Sequence, residues 1–331
     1  MQARSEIART LTEEDNFLLA CHEDPDGDAI GSMSALGHIL KRLGKEFWLY
    51  CPGGLPQRFS WLKLPANILQ STNDLRTNWL VALDCGSAHR LGSELQQNLH
   101  ASRVINIDHH QGNPGFGELN WVDPQRSSVG EMVACLAQDL GLDLDWALGE
   151  SLYLALVTDT GSFTYSNTKS STLQIAAGIL DRGLDLDRFN SNLYRQWNLA
   201  KVHAHGLAMQ TAELKLQGRA GLITADKEVL RRSGAGAEDC EGLVNYMRQV
   251  RGVLVAVSLL QQEEYIKFSL RSWGEVDVSA VASSLGGGGH QNAAGGKLAL
   301  DLAQAKEQIL QALEQALMTQ QYLQTAAEGW N

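Results

Sequence analysis

Three short apolar runs, each ending on an acidic or histidine-bearing loop, constrain the fold of this chain more than any other feature. Phe17-Leu18-Leu19-Ala20-Cys21 leads into His22, Trp79 to Leu83 into Asp84, and Val104-Ile105-Asn106-Ile107 into Asp108. Apolar runs of this length, bounded by loops, predict buried strands, and Phe47 to Cys51 predicts another. Ala29 to Leu43, closed by Gly44, has apolar residues at helical spacing, as do Ser128 to Leu140 and Trp146 to Val157. Strands alternating with helices predict an α/β fold with a mainly parallel sheet flanked by helices. Ligands of such sheets bind outside the carboxyl ends of the strands, so the loops that start at His22, Asp84 and Asp108 are expected at one edge.

A chain of 331 residues exceeds the size at which one hydrophobic core keeps growing, which predicts two domains. The first is expected over residues 1–188. No strand pattern is evident from Asp187 to His205, so residues 189–208 are expected as a linker. Strand patterns restart at Leu222-Ile223-Thr224, Val253 to Leu260 and Tyr265 to Leu270, and a helix is expected before Gly286. With a further helix over Leu300 to Met318 they predict a smaller α/β domain over 209–318, followed by a polar, fraying tail over 319–331.

The composition narrows the function. No apolar run approaches the ~20 residues that span a bilayer, and the polar start MQARSEIART has no signal-peptide core. A soluble, cytoplasmic chain without a membrane partner is expected. Five scattered cysteines without CxxC spacing predict reduced, mostly buried thiols. A formal charge of −11 opposes sequence-independent binding of long nucleic acid, which depends on many Lys and Arg contacts to phosphate. A short anionic substrate stays compatible with that charge if it is neutralised locally.

The loop His22-Glu23-Asp24-Pro25-Asp26-Gly27-Asp28 crowds carboxylates where a strand turns into a helix. They repel one another unless a cation or hydrogen-bond donors compensate. Imidazole and carboxylate together suit hard or borderline divalent cations. A calcium loop, or plain capping of the helix by Asp24, Asp26 and Asp28, is the alternative for this loop alone. Asp84, the Asp108-His109-His110 run, and Asp159 in Val157-Thr158-Asp159-Thr160-Gly161 extend the set. Asp84 or Asp159 alone fits a cap or surface acid, and adjacent histidines alone do not specify a metal, whereas together the segments favour a two-metal site.

These segments resemble the DHH phosphoesterase superfamily, whose motifs match His22 to Ser32, Asp84-Cys85-Gly86, Asp108-His109-His110 and Thr158-Asp159-Thr160-Gly161 in the family's order. The resemblance implies one cation held by His22, Asp26 and Asp84, and a second held by Asp28, Asp84, His109 and Asp159. It implies two manganese-like divalent cations bridged by Asp84, with Asp108 orienting a ligand histidine and His110 approaching the substrate phosphate or the leaving group. Two cations about 3.5–4 Å apart activate water and stabilise charge on the phosphate.

Gly286-Gly287-Gly288-Gly289-His290 is compatible either with a flexible linker or with a backbone that approaches an anion. With Leu270-Arg271-Ser272, Val276-Asp277-Val278 and Ala293-Ala294-Gly295 it resembles the DHHA1 domain that accompanies many DHH proteins. That implies substrate contacts from Arg271, Gly288, Gly289 and His290. Arg90 and Ser127 either face the substrate pocket or make structural bonds, and His38, His203 and His205 are expected to be structural or solvated. The short two-domain layout is similar to the nanoRNase, NrnA-type branch, which implies hydrolysis of short oligoribonucleotides and of 3′-phosphoadenosine 5′-phosphate. A cyclic- or linear-dinucleotide phosphodiesterase, more distantly a pyrophosphatase, and a silent nucleotide-binding regulator are the alternatives. Arg126 departs from relatives, which commonly carry a small residue before the serine pair. Homodimer formation is compatible with all of these features.

Overall fold

The apolar runs form strands, and because side chains alternate across a strand, both faces of the resulting sheet are apolar and must be covered. In the computed structural model, which describes residues 2–72, 75–99, 102–274 and 276–328, the chain divides into two compact units, Met1–Gln196 and Trp197–Asn331. The first contains α1 (Gln2–Glu13), β1 (Phe17–Ala20), α2 (Gly27–Arg42), β2 (Phe47–Tyr50), β3 (Ile68–Leu69), β4 (Trp79–Leu83), α3 (Ser93–Asn98), β5 (Arg103–Asp108), β6 (Leu119–Val122), α4 (Val129–Asp139), α5 (Trp146–Asp159), α6 (Ser170–Asp181) and α7 (Leu186–Tyr194).

Its six strands pair in parallel in the order β3-β2-β1-β4-β5-β6. Phe17, Leu19, Val81 and Ile105 face a core shared with α1, α2, α4 and α5, while Leu18, Ala20, Leu80 and Val104 face the opposite side with Leu91 and Leu95. The reversal of strand order occurs between β1, whose neighbours are β2 and β4, and the β4-β5-β6 series. The loops after β1, β4 and β5 therefore leave the same edge, as expected of a ligand site in this topology.

The segment 189–208, expected as a linker, holds the end of α7 and most of α8 (Leu199–Met209), and the division between units falls inside it at Gln196 and Trp197. The second unit continues with β7 (Glu213–Lys215), β8 (Ala220–Ala225), α9 (Lys227–Ser233), α10 (Val244–Arg248), β9 (Val255–Gln261), β10 (Ile266–Ser272), α11 (Val278–Ser284), β11 (Gly288–His290), β12 (Ala293–Leu298) and α12 (Leu302–Glu328). Its mixed sheet runs β11-β12-β10-β9-β8-β7, with only β8 and β9 parallel. Val255, Val257 and Leu259 point to the side of α11 and α12, and Ala256 and Leu260 to the side of α8, α9 and α10.

Two expectations need correction here. The helix ended at Met318 by the sequence reading runs on to Glu328, because Gln, Leu and Ala beyond it are good helix formers; residues 329–331 and the side chains after Met318 lie outside the described residues. Half of the glycine run is an edge strand rather than a loop: Gly288 pairs with Gly295 and Gly289 with Ala294. All five cysteines are buried and free. Among the described residues, no helix is long and apolar enough to cross a membrane.

Candidate metal centre

The centre is assembled from backbone ends. Asp26 caps α2, its Oδ1 accepting from the Asp28 and Ala29 amides at 3.0 Å each, so the capping role proposed for this loop is real and coexists with the cluster. Asp28, one residue into the helix, is buried and accepts from the Val129 and Gly130 amides at 2.7 and 2.8 Å, at the start of α4. Asp84 leaves β4 with φ of +56°, in the left-handed region that aspartate tolerates better than most residues. Asp108 ends β5, His109 and His110 follow it, and Asp159 ends α5.

Three overlapping groups bring ligand atoms within 4.8 Å of one another: His22, Asp26 and Asp84; Asp28, His109 and Asp159; and Asp84, His109 and His110. His109 Nε2 lies 3.8 Å from Asp28 Oδ2, 3.7 Å from Asp84 Oδ1 and 3.6 Å from Asp159 Oδ2. His22 Nε2 lies 3.8 Å from Asp84 Oδ2. These separations are too long for hydrogen bonds and suit donors arranged around a common ion. Asp84 Oδ1 and His22 Nδ1 are buried with no hydrogen-bond partner among the described residues, a costly state for polar atoms that a bound cation would relieve in the case of Asp84. By contrast, Glu23 and Asp24 of the same loop are exposed and belong to none of the groups.

The charges indicate the same need. Burial, then the charge of Asp26, pushes Asp84 up to about 6; burial, with Asp26 and Asp84, pushes Asp159 up to about 7 despite His109. Asp28 is likewise raised well above the carboxylate range by burial and by Asp84 and Asp159. Burial, aided by Arg90 and His110, lowers His22 to about 4, which leaves it neutral and able to donate a lone pair at pH 7. Crowded carboxylates beside neutral imidazole are a donor set for a hard or borderline divalent cation.

The two consecutive histidines are held differently. His109 donates Nδ1–H to the Arg126 carbonyl at 3.2 Å, which directs Nε2 to the carboxylates. His110 donates Nδ1–H to Asp108 at 2.7 Å, and Asn113 donates to the other Asp108 oxygen at 2.6 Å. Burial opposes the charged ring, but the Asp108 bond and the charge of Asp84 carry His110 up to about 9; burial would also raise Asp108, yet the His110 and Asn113 bonds bring it down to about 2. Asp108 therefore orients His110, one of the donors grouped with Asp84 and His109, while the side chain of its immediate neighbour His109 is held by the Arg126 carbonyl in the loop after β6.

Of the two roles expected for Ser127, the structural one is present: its fully buried hydroxyl donates to Glu131 at 2.7 Å. Arg126 pairs with Glu131 at 3.0 Å and Asp123 at 3.1 Å. Arg90 is half-buried in a 3₁₀ turn, Ala88–Leu91, close enough for its charge to act on His22 and His110. His38 bonds the Lys63 carbonyl, His205 is buried between Tyr246 and Asp239, and His203 is exposed, so none joins the centre.

In the second unit Arg271 lies on β10 opposite Ala293, with Nη1 donating to the Leu270 carbonyl at 2.9 Å. A Cβ at Gly289 would sit 2.5 Å from the Ala293 carbonyl oxygen, and one at Gly287 2.2 Å from that of Gly295, whereas one at Gly288 meets nothing within 4 Å. Glycine at 287 and 289 is thus required by close strand packing, whereas Gly288 is exposed with open space where a Cβ would lie. The side chain of His290 lies outside the described residues. Sequence reading missed Asn113 and Asn167, which bond Asp108 and Asp159, and Glu131, which bonds Arg126 and Ser127 in the turn beside them; single polar residues in loops and helix starts carry no distinguishing pattern.

Residues 16–157 match the model of the DHH family, N-terminal domain, and residues 225–319 that of the DHHA1 domain. The chain is 35% identical over 98% of its length to the bifunctional oligoribonuclease and PAP phosphatase NrnA of Thermus thermophilus, covering 96% of that protein. It is 28% identical over 89% of its length to the Bacillus subtilis protein of the same name, covering 93% of it. An exopolyphosphatase-related protein of Bacteroides fragilis superposes with a TM-score of 0.87 at 26% identity, with 97% of each chain covered. Two domain matches in the same order as the two units, and a relative this similar along the whole chain, show that the protein belongs to the DHH family, with a DHHA1 domain behind the DHH domain.

Proposed function

We propose that the chain is a divalent-metal-dependent phosphoesterase that hydrolyses short oligoribonucleotides to mononucleotides and 3′-phosphoadenosine 5′-phosphate to AMP. The observation that carries this reading is the convergence of His22, Asp26, Asp28, Asp84, His109 and Asp159 into overlapping ligand groups at one sheet edge. The near full-length likeness to a protein named for those two activities supports the choice of substrates.

In this reading His22, Asp26 and Asp84 hold one cation, and Asp28, Asp84, His109 and Asp159 hold a second, both manganese. Bound there, two such cations supply an acidified water and charge stabilisation for the phosphoryl group. Asp108 fixes His110 through Nδ1, so proton exchange with a leaving oxygen runs through Nε2. Arg90 adds positive charge beside His22 and His110, where a substrate phosphate would lie. Arg271 and the backbone of Gly288 and Gly289, with His290, serve substrate recognition from the second unit. The chain's acidic charge favours short substrates, and neither long nucleic acid nor a membrane is a partner in this reading.

The test is a manganese-supplemented assay of two- to five-nucleotide RNAs, 3′-phosphoadenosine 5′-phosphate, cyclic dinucleotides and pyrophosphate, run with Asp84→Ala alongside. Mononucleotides from the RNAs and AMP from the bisphosphate are expected, with all turnover lost in the variant. Turnover confined to cyclic dinucleotides or pyrophosphate, or a fully active variant, would overturn the reading.

A further inference from the structure

Three residues of the centre are held from one short turn, residues 126–130. The Arg126 carbonyl accepts from His109 Nδ1 at 3.2 Å. The Ser127 carbonyl accepts from the Asn167 side-chain amide at 2.9 Å, and that same amide reaches the Asp159 carbonyl at 3.1 Å and Asp159 Oδ2 at 3.4 Å. The Val129 and Gly130 amides hold the two Asp28 oxygens. His109, Asp159 and Asp28 together make up one of the three ligand groups.

The turn is itself gripped by one buried side chain, Glu131. Its Oε2 accepts from the Ser127 amide at 3.0 Å, the Ser127 hydroxyl at 2.7 Å and Thr172 at 3.2 Å; its Oε1 accepts from Arg126 at 3.0 Å and Ser171 at 2.9 Å. Burial would raise its pKa, but the Ser127, Ser171 and Arg126 bonds lower it below the ordinary range, and it stays ionised. Ser128 caps α4 by accepting from the Glu131 amide, the first half of a capping box. A glutamate at that position ordinarily reaches back to the cap residue's own amide. Here it reaches one residue further, to Ser127, and so fixes the peptide units whose carbonyls meet His109 and Asn167.

We infer that Glu131 is the positioning residue for the cation position formed by Asp28, His109 and Asp159. It never contacts the cation. Instead it sets the direction of the Arg126 and Ser127 carbonyls, and through them the ring of His109 and the carboxylate of Asp159. Groups that orient metal ligands typically alter metal affinity by about 10- to 100-fold when replaced. Glu131→Gln keeps the volume but puts an amide NH₂ where donors now converge, so the turn must shift. The effect should fall on one cation position and spare the one at His22 and Asp26.

This inference rests on the two-cation reading of the centre. Manganese binding to the purified full-length chain, followed by electron paramagnetic resonance and calorimetry, tests both at once. Wild type is expected to show two affinity classes, and His22→Ala identifies which class belongs to Asp28, His109 and Asp159, because that class survives it. In Glu131→Gln that same class should weaken about tenfold or more while the other changes less than about twofold. Equal weakening of both classes, or of neither, in a variant with a native circular dichroism spectrum overturns the inference. If Glu131→Gln does not fold, Asn167→Ala decides: the same class must weaken, and unchanged affinities overturn the inference. A wild type with a single class defeats the two-cation reading, and the positioning role then stands only if Glu131→Gln weakens that class.

Discussion

At the scale of single residues, Asp84 carries the greatest tension. It is buried in a left-handed backbone conformation among other carboxylates, with one oxygen lacking a hydrogen-bond partner among the described residues. Asn fits the same backbone without the charge, so Asp84→Asn should stabilise the metal-free chain, by on the order of 1–3 kcal/mol at pH 7, while removing manganese binding. Urea unfolding in a chelator and a manganese titration read the two effects, and a variant less stable than wild type without metal would contradict the account of the centre. The pH dependence follows from the same groups. Asp84 and Asp159, raised to about 6 and about 7, still hold protons in the folded chain at pH values where the unfolded chain has released them. His110, raised to about 9, and His109, raised as well, also bind protons more tightly when folded. Stability of the metal-free chain should therefore fall as pH rises from 5 to 8, with lowered His22 opposing only below about pH 6.5. Saturating manganese replaces those protons, so the thermal midpoint with metal should rise or stay level over that range.

Among the elements, the contact between α2 and α5 governs the geometry of the centre, since Asp26 and Asp28 sit at the start of one helix and Asp159 at the end of the other. The helices approach closely because Gly31 has no side chain: a Cβ there would lie 2.6 Å from the Ser151 carbonyl oxygen and 2.9 Å from the Ala155 amide nitrogen. These are backbone atoms that cannot rotate away. Gly31→Ala should therefore destabilise the fold by about 1–3 kcal/mol, in the manner of overpacked cores, and lower manganese affinity by separating Asp28 from Asp159. Denaturant unfolding measures the first effect and metal titration the second. Elements with strong patterns were legible: β1, β4, β5, α2, α4 and α5 lie within two residues of expectation at either end. Those without one were not. β6 and the two-residue β3 are largely half-buried, and β11 is built from glycine, which disfavours strands and pairs here only because β12 accepts its backbone at close range.

For the whole molecule, the net charge of −11 bears on the length of RNA that the proposed reading allows. In that reading a short RNA would meet bound cations and Arg90, whereas each added nucleotide would place another phosphate against a chain of acidic net charge. Turnover per molecule should fall with length beyond about five nucleotides. Screening weakens repulsion between exposed charges over about 10 Å, so raising salt from about 0.05 to about 0.3 M should increase the ratio of kcat/KM for a long RNA to that for a dinucleotide. A ratio that drops with salt would mean that a basic track, not repulsion, handles the longer chain.

The chain's own order of residues determined the α/β class, the edge of the sheet that carries the acids and histidines, and the kind of ion they suit, because apolar runs and the residues that end them are local in sequence. Tertiary structure alone decided how those side chains are oriented. How the Arg126 carbonyl holds His109, how Ser171 and Thr172 reach Glu131, and how Asn167 meets the Ser127 carbonyl depend on hydrogen bonds between residues 17 to 41 apart in the chain. Such bonds leave no periodic trace, since a single polar residue in the right place satisfies them and many other positions could hold the same residue without making them.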